Sequence, residues 1–129
     1  MIGIDTNHLL RVFVEKDHIQ SYQVKKLIEQ QGTVYVSSAV FLEVIWTLET
    51  RYGFTKKDLM QCIESILKAQ HFDVQLRDAM WLAFSDFQHF NIGFSDCVIG
   101  ALGRVDGCDY TATFDKKAAK SKSFKLTKL

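Results

Sequence analysis

The sequence predicts an α/β protein: one domain over residues 1–129, built on a central, mostly parallel sheet of about five strands with helices on both faces. Three observations lead there. Short β-branched or aromatic runs alternate with longer segments of helical periodicity, the order a parallel sheet requires. No proline or low-complexity stretch interrupts the 129 residues, so nothing marks a linker. Hydrophobic residues make up 47% and charged residues 24%, the balance of a chain that buries a core.

The elements follow in order. "MIGID" is an apolar run that reads as a strand ending at Asp5. From about Asp17 to Gln31, Ile19, Tyr22, Val24, Leu27 and Ile28 approximate a helical stripe, stopped by Gly32. "TVYV" is β-branched and aromatic, a second strand. Ser37 or Ser38 caps the next helix, which closes near Gly53. Thr55 caps another, with Asp58 in its first turn, running to about Ala69. "FDV" at 72–74 is a short strand, and residues 75–90 form a helix with Leu76, Ala79, Met80, Ala83, Phe84 and Phe87 on one side. Ser95 caps a helix from Asp96 to about Val105, "YTATF" is a strand ending at Asp115, and Phe124 to Leu126 form a last short strand.

Composition excludes several classes. The longest apolar runs fall far short of a membrane span, and Asp5 interrupts any signal-peptide core at the start. Three cysteines, Cys62, Cys97 and Cys108, lack C-x-x-C spacing, which points to reduced thiols and a cytoplasmic protein. The net charge of +1 hides an asymmetry: residues 1–115 hold all fifteen acids and ten Lys or Arg, whereas residues 116–129, "KKAAKSKSFKLTKL", hold six lysines and no acid. A lysine-rich segment beside an acidic body suits a polyanion such as nucleic acid, and equally a merely solvated terminus.

One acid is out of place. Glu43 stands in "SSAVFLEVIWTL" with no cation three or four residues away, since those positions are Ala39, Val40, Trp46 and Thr47. Burial of a carboxylate on such a face requires a counter-charge, either a metal ion or a distant Arg or Lys. Ligands of parallel sheets bind beyond the carboxyl ends of the strands. Asp5 and Asp115 fall at such ends, and Glu43 and Asp96 lie near helix starts that follow them. Four acids from four distant stretches are therefore expected to converge. Packed carboxylates need a cation between them, and Mg²⁺ or Mn²⁺ prefers oxygen ligands. Such an ion activates water and polarises a phosphoryl oxygen, so phosphodiester hydrolysis is the natural reaction. Singly, Asp5 as a cap, Asp96 at a helix start and Asp115 in a turn each have an ordinary structural role as well.

"IDTNHLL", "FLEVIW", "GFSDCVIGAL" and "YTATFD", in that order and spacing, resemble a PIN domain, closest to the VapC-type toxin ribonucleases of toxin–antitoxin pairs. The resemblance covers essentially the whole chain, making it a single PIN-like domain with a lysine-rich C-terminal segment at 116–129. It implies that Asp5, Glu43, Asp96 and Asp115 bind Mg²⁺ or Mn²⁺ and carry catalysis of RNA cleavage. It also implies a cognate antitoxin protein and a homodimer. Thr6, Asn7, Ser95 and Thr113 match the positions that orient the carboxylates. Cys97 stands where the family usually has a small residue, which would make the site sensitive to oxidation. Lys116, Lys117 and Arg11 are the candidate RNA-binding cations. The alternative is a non-catalytic RNA- or protein-binding module of the same fold.

Other constellations carry less. The four histidines show no metal-pair spacing, although His8 lies close to Asp5. No phosphate-binding glycine loop is present. Phe41, Trp46, Trp81, Phe84, Phe87 and Phe90 recur at roughly helical spacing and read as core or interface residues rather than a stacking platform.

Overall fold

The computed structural model describes residues 1–128; Leu129, the last residue of the lysine-rich segment, lies outside them. The described residues form six α-helices and five strands, alternating as an α/β fold. They divide into two compact units, Met1–Gln75 and Leu76–Leu129.

In the first unit, β1 (Ile2–Gly3), β2 (Val34–Val36) and β3 (Phe72–Val74) form a parallel sheet in the order β1-β2-β3. Ile2 pairs with Val34, and Val34 with Phe72. Each crossover is helical: α1 (Thr6–Phe13) and α2 (His18–Gln31) join β1 to β2, and α3 (Ser38–Tyr52) and α4 (Lys56–Lys68) join β2 to β3. The starts obey local chemistry. Asp17 accepts from the amides of Ile19 and Gln20, Ser37 accepts from Val40, and Thr55 and Asp58 form a reciprocal capping box. Gly32 (φ 76°) and Gly53 (φ 65°) end α2 and α3 where a side chain would strain the backbone. The core gathers Leu9, Val34, Val36, Phe41, Val44, Leu48, Ile63 and Ile66, all essentially inaccessible. Each such side chain stabilises the fold by about 1.5–3 kcal/mol over leaving it in water.

The second unit holds α5 (Arg77–His89), α6 (Phe94–Val105), β4 (Thr111–Thr113) and β5 (Phe124–Leu126). The two strands pair in parallel, with Thr111 opposite Phe124. The antiparallel α5–α6 pair is joined by a short turn, and the rings of Phe87 and Phe94 meet edge-on at 5.7 Å. Ser121 and Ser123 are buried, and their hydroxyls donate to Asp86 Oδ2 on α5 at 3.3 Å each. The lysine-rich segment is thus folded into the unit, with Ala118 and Phe124 also buried and its described lysines exposed.

Several sequence expectations need correction. Residues 6–13, to which no element had been assigned, form α1. Glu43 is exposed rather than buried, because Ala39, Glu43, Trp46 and Thr50 share the outward stripe of α3 while Phe41, Val44, Ile45 and Leu48 face inward. Trp46 is 54% exposed and so lies outside the core. Ile19, Tyr22 and Leu76 are likewise exposed; of the α2 stripe only Val24 is buried. Ser95 caps nothing: α6 begins at Phe94, whose buried ring anchors the first turn, and Gly93 takes the cap position.

Candidate active site

Asp5 follows β1 at the carboxyl edge of its sheet and is the N-cap of α1. Its Oδ1 accepts from the backbone N–H of His8 at 3.0 Å and is paired with His8 Nδ1 at 2.8 Å. These contacts hold the carboxyl below its ordinary range, the backbone hydrogen bond being the largest cause and the imidazole the next. The side chain remains 70% exposed, and Oδ2 accepts no hydrogen bond among the described residues. Asp5 is thus an anchored, ionised carboxylate with a free oxygen. Beside it opens a cleft of about 600 Å³, lined also by Asn7, His8, Arg11 and Gln20.

Glu43 lies on α3, which packs against α1 within the same unit. Its exposure removes the need for a buried counter-charge and leaves its carboxylate open to a ligand. Thr6 is the first residue of α1, half-buried, and Asn7 is exposed.

In the second unit, Asp96 is the third residue of α6 and half-buried, where a negative charge suits the helix start. Asp115 lies just past β4. Its Oδ1 accepts from the Lys117 amide at 2.8 Å, and its own N–H donates to Thr113 Oγ1 at 3.0 Å. Thr113 therefore helps to fix the backbone at Asp115. Lys116 and Lys117 are exposed beside it, whereas exposed Ser95 makes no comparable contact to Asp96. Cys97 is completely buried, which corrects the expectation that it would sensitise the site to oxidation.

The structure thus places Asp5 at the start of α1 and Glu43 on α3, packed helices of one unit, and Asp96 on α6 and Asp115 just past β4, packed elements of the other. In the first unit the solvent-open carboxylates of Asp5 and Glu43 have the hard oxygen donors that a divalent cation prefers, and in the second Asp115 has the same chemistry. Among the described residues, no three or more His, Cys, Asp or Glu side chains already form a group able to hold a metal ion. His8 is the contact of Asp5 that spacing underrated: an i to i+3 His after a helix-capping Asp was the available signal.

Among the described residues, no helix is long and apolar enough to cross a membrane. Comparison with curated proteins finds no match. The family profile of the PIN domain, however, matches residues 2–123, which include all four candidate acids and stop just before β5, and the chain belongs to the PIN domain family.

Proposed function

We propose that this chain is a divalent-metal-dependent endoribonuclease, the VapC-type toxin of a toxin–antitoxin pair. Membership of the PIN family gives it a nuclease fold in general. The finer reading rests above all on Asp5, an exposed carboxylate that is held ionised by His8, with one oxygen uncommitted at the carboxyl edge of a parallel sheet. In this reading Asp5, Glu43, Asp96 and Asp115 hold Mg²⁺ or Mn²⁺, and residues 1–129 act as one functional domain. The bound cation supplies charge neutralisation and Lewis acidity toward a phosphodiester.

The chain's own residues do the rest. His8 keeps Asp5 oriented and deprotonated. Thr113 sets the backbone from which Asp115 projects, and Thr6 and Asn7 follow Asp5 in the first turn of α1. Lys116, Lys117 and Arg11 hold the RNA backbone as fixed charges. The odd, unbridged cysteines support a cytoplasmic setting. A cognate antitoxin and a homodimer complete the proposal.

The test is a cleavage assay on metal-stripped protein with structured RNA, adding Mg²⁺ or Mn²⁺ back, with Asp5→Asn in parallel. Cleavage that appears with metal and disappears in the folded variant supports the reading. Equal cleavage by the variant removes Asp5 from the site. Absence of both cleavage and Mn²⁺ binding leaves a non-catalytic binding module.

A further inference from the structure

A second cleft, of about 950 Å³, opens along α1 and α2. Arg11 and Val24 line both this cleft and the smaller one beside Asp5, so the two adjoin. Arg11 is oriented by its Nε–H, which donates to Gln20 Oε1 at 3.1 Å. Its Nη1 and the hydroxyl of Ser21 are buried polar atoms without a hydrogen-bond partner among the described residues. Two unpaired donors at one cleft call for an acceptor, and a guanidinium beside a hydroxyl suits an anionic one.

The charges of the cleft narrow the choice. Of its two acids, Glu29 is paired with Lys26 at 3.5 Å, and Glu15 lies 3.2 Å from the His18 imidazole, which offsets it only when protonated. Arg11 and Lys25, by contrast, have no ion pair among the described residues. Tyr22 lines the same wall and is 62% exposed, with Lys26 Nζ over one face 5.5 Å from the ring centroid and the other face left for a base, beside a Val12 that is 44% exposed. Uncommitted cations and an exposed aromatic ring, next to a cleft holding an ionised carboxylate, match a phosphate followed by a base.

We infer that this cleft is a flanking-nucleotide subsite for single-stranded RNA. A phosphate is received by Arg11, Ser21 and Lys25, and its base stacks on Tyr22, while the neighbouring nucleotides lie in the cleft of Asp5. The inference rests on the ribonuclease reading above and gives that reading a footprint longer than the scissile step.

The experiment is fluorescence anisotropy of the full chain with labelled RNA oligonucleotides of two to eight nucleotides, in Ca²⁺, with the RNA checked for integrity. The variants are Tyr22→Ala and Lys25→Gln, both at exposed positions that line only the larger cleft. Wild-type affinity is expected to rise with length, and each variant to weaken the longer oligonucleotides roughly tenfold while leaving the dinucleotide unchanged. Long RNA bound equally well by wild type and variants overturns the subsite and leaves the nuclease reading standing. Equal loss at every length also overturns it, assigning these residues to general attraction. No binding of any RNA by wild type defeats both readings, and saturable binding of an acidic peptide lost in the same variants would then give the cleft to a protein partner.

Discussion

Asp5 and His8 are joined twice through one oxygen, by the His8 amide at 3.0 Å and by its imidazole Nδ1 at 2.8 Å. The double contact closes the first turn of α1 and leaves the outer carboxylate oxygen unused. A helix cap and a ligand-ready carboxylate are here the same group.

Replacing His8 by Ala removes the imidazole but retains the backbone donor, so the Asp5 pKa should rise only part of the way toward 3.8. Carboxyl NMR titration of the two proteins measures this. The sign for stability follows from linkage: a carboxylate depressed in the folded state contributes above the unfolded value of 3.8, and the contribution disappears as pH falls through the folded value. The wild type should therefore lose slightly more stability than the variant on acidification in that window. Solvent exposure of Asp5 keeps the difference small.

Gly100 on α6 faces the C-terminal segment. A β-carbon there would lie 2.7 Å from the Phe124 ring and 2.8 Å from Ser123 Cβ. Gly100→Ala is expected to destabilise the protein by about 1–3 kcal/mol in urea unfolding, despite the better helix propensity of alanine. Unchanged stability would mean that this packing is looser than drawn here.

Asp86→Ala leaves the buried Ser123 hydroxyl without its acceptor, whereas Ser121 Oγ still accepts from the Ser123 amide at 3.1 Å. The expected cost is about 1–3 kcal/mol. Asp86→Asn, which keeps one carbonyl oxygen, should cost less, and thermal unfolding of the two variants tests that order.

The thiols should react in a fixed order. Cys108 is exposed, while Cys62 and Cys97 are buried, and burial, with Asp58 nearby, pushes the Cys62 thiol up to about 11. Alkylation of the native protein at neutral pH, followed by peptide mass spectrometry, should find label on Cys108 alone. Label on native Cys97 would revive the idea of an oxidation-sensitive site.

The five strands and the caps of α2, α3 and α4 were legible because their signals are local: β-branched runs, a Ser or Thr before a helix, a Gly after it. α1 was not, since eight residues are too few to show a stripe and are marginal as an isolated helix. What stabilises it is packing against α2 and α3. Glu43 misled for another reason. Where apolar residues occur at nearly every position of a segment, composition does not fix the rotational phase, and only tertiary contact reveals that Glu43 and Trp46 face outward. The places of Asp5 and Asp115 just past strands, and of Asp96 in the first turn of a helix, were legible, and the second cleft was not, because its polar atoms are known to be unpaired only once the fold is seen.

The segment "KKAAKSKSFKLTKL" carries six lysines and no acid, yet Ala118, Ser121, Ser123 and Phe124 moor it to the second unit. A loose polylysine arm must surrender its conformational freedom whenever it meets a polyanion. Here that loss is already incurred during folding, and ammonium groups such as Lys125, 5.2 Å from the Tyr110 ring, are displayed at fixed addresses like studs on a rigid plate. Such a surface discriminates by the spacing of charges it meets, where an unstructured arm would respond only to their number.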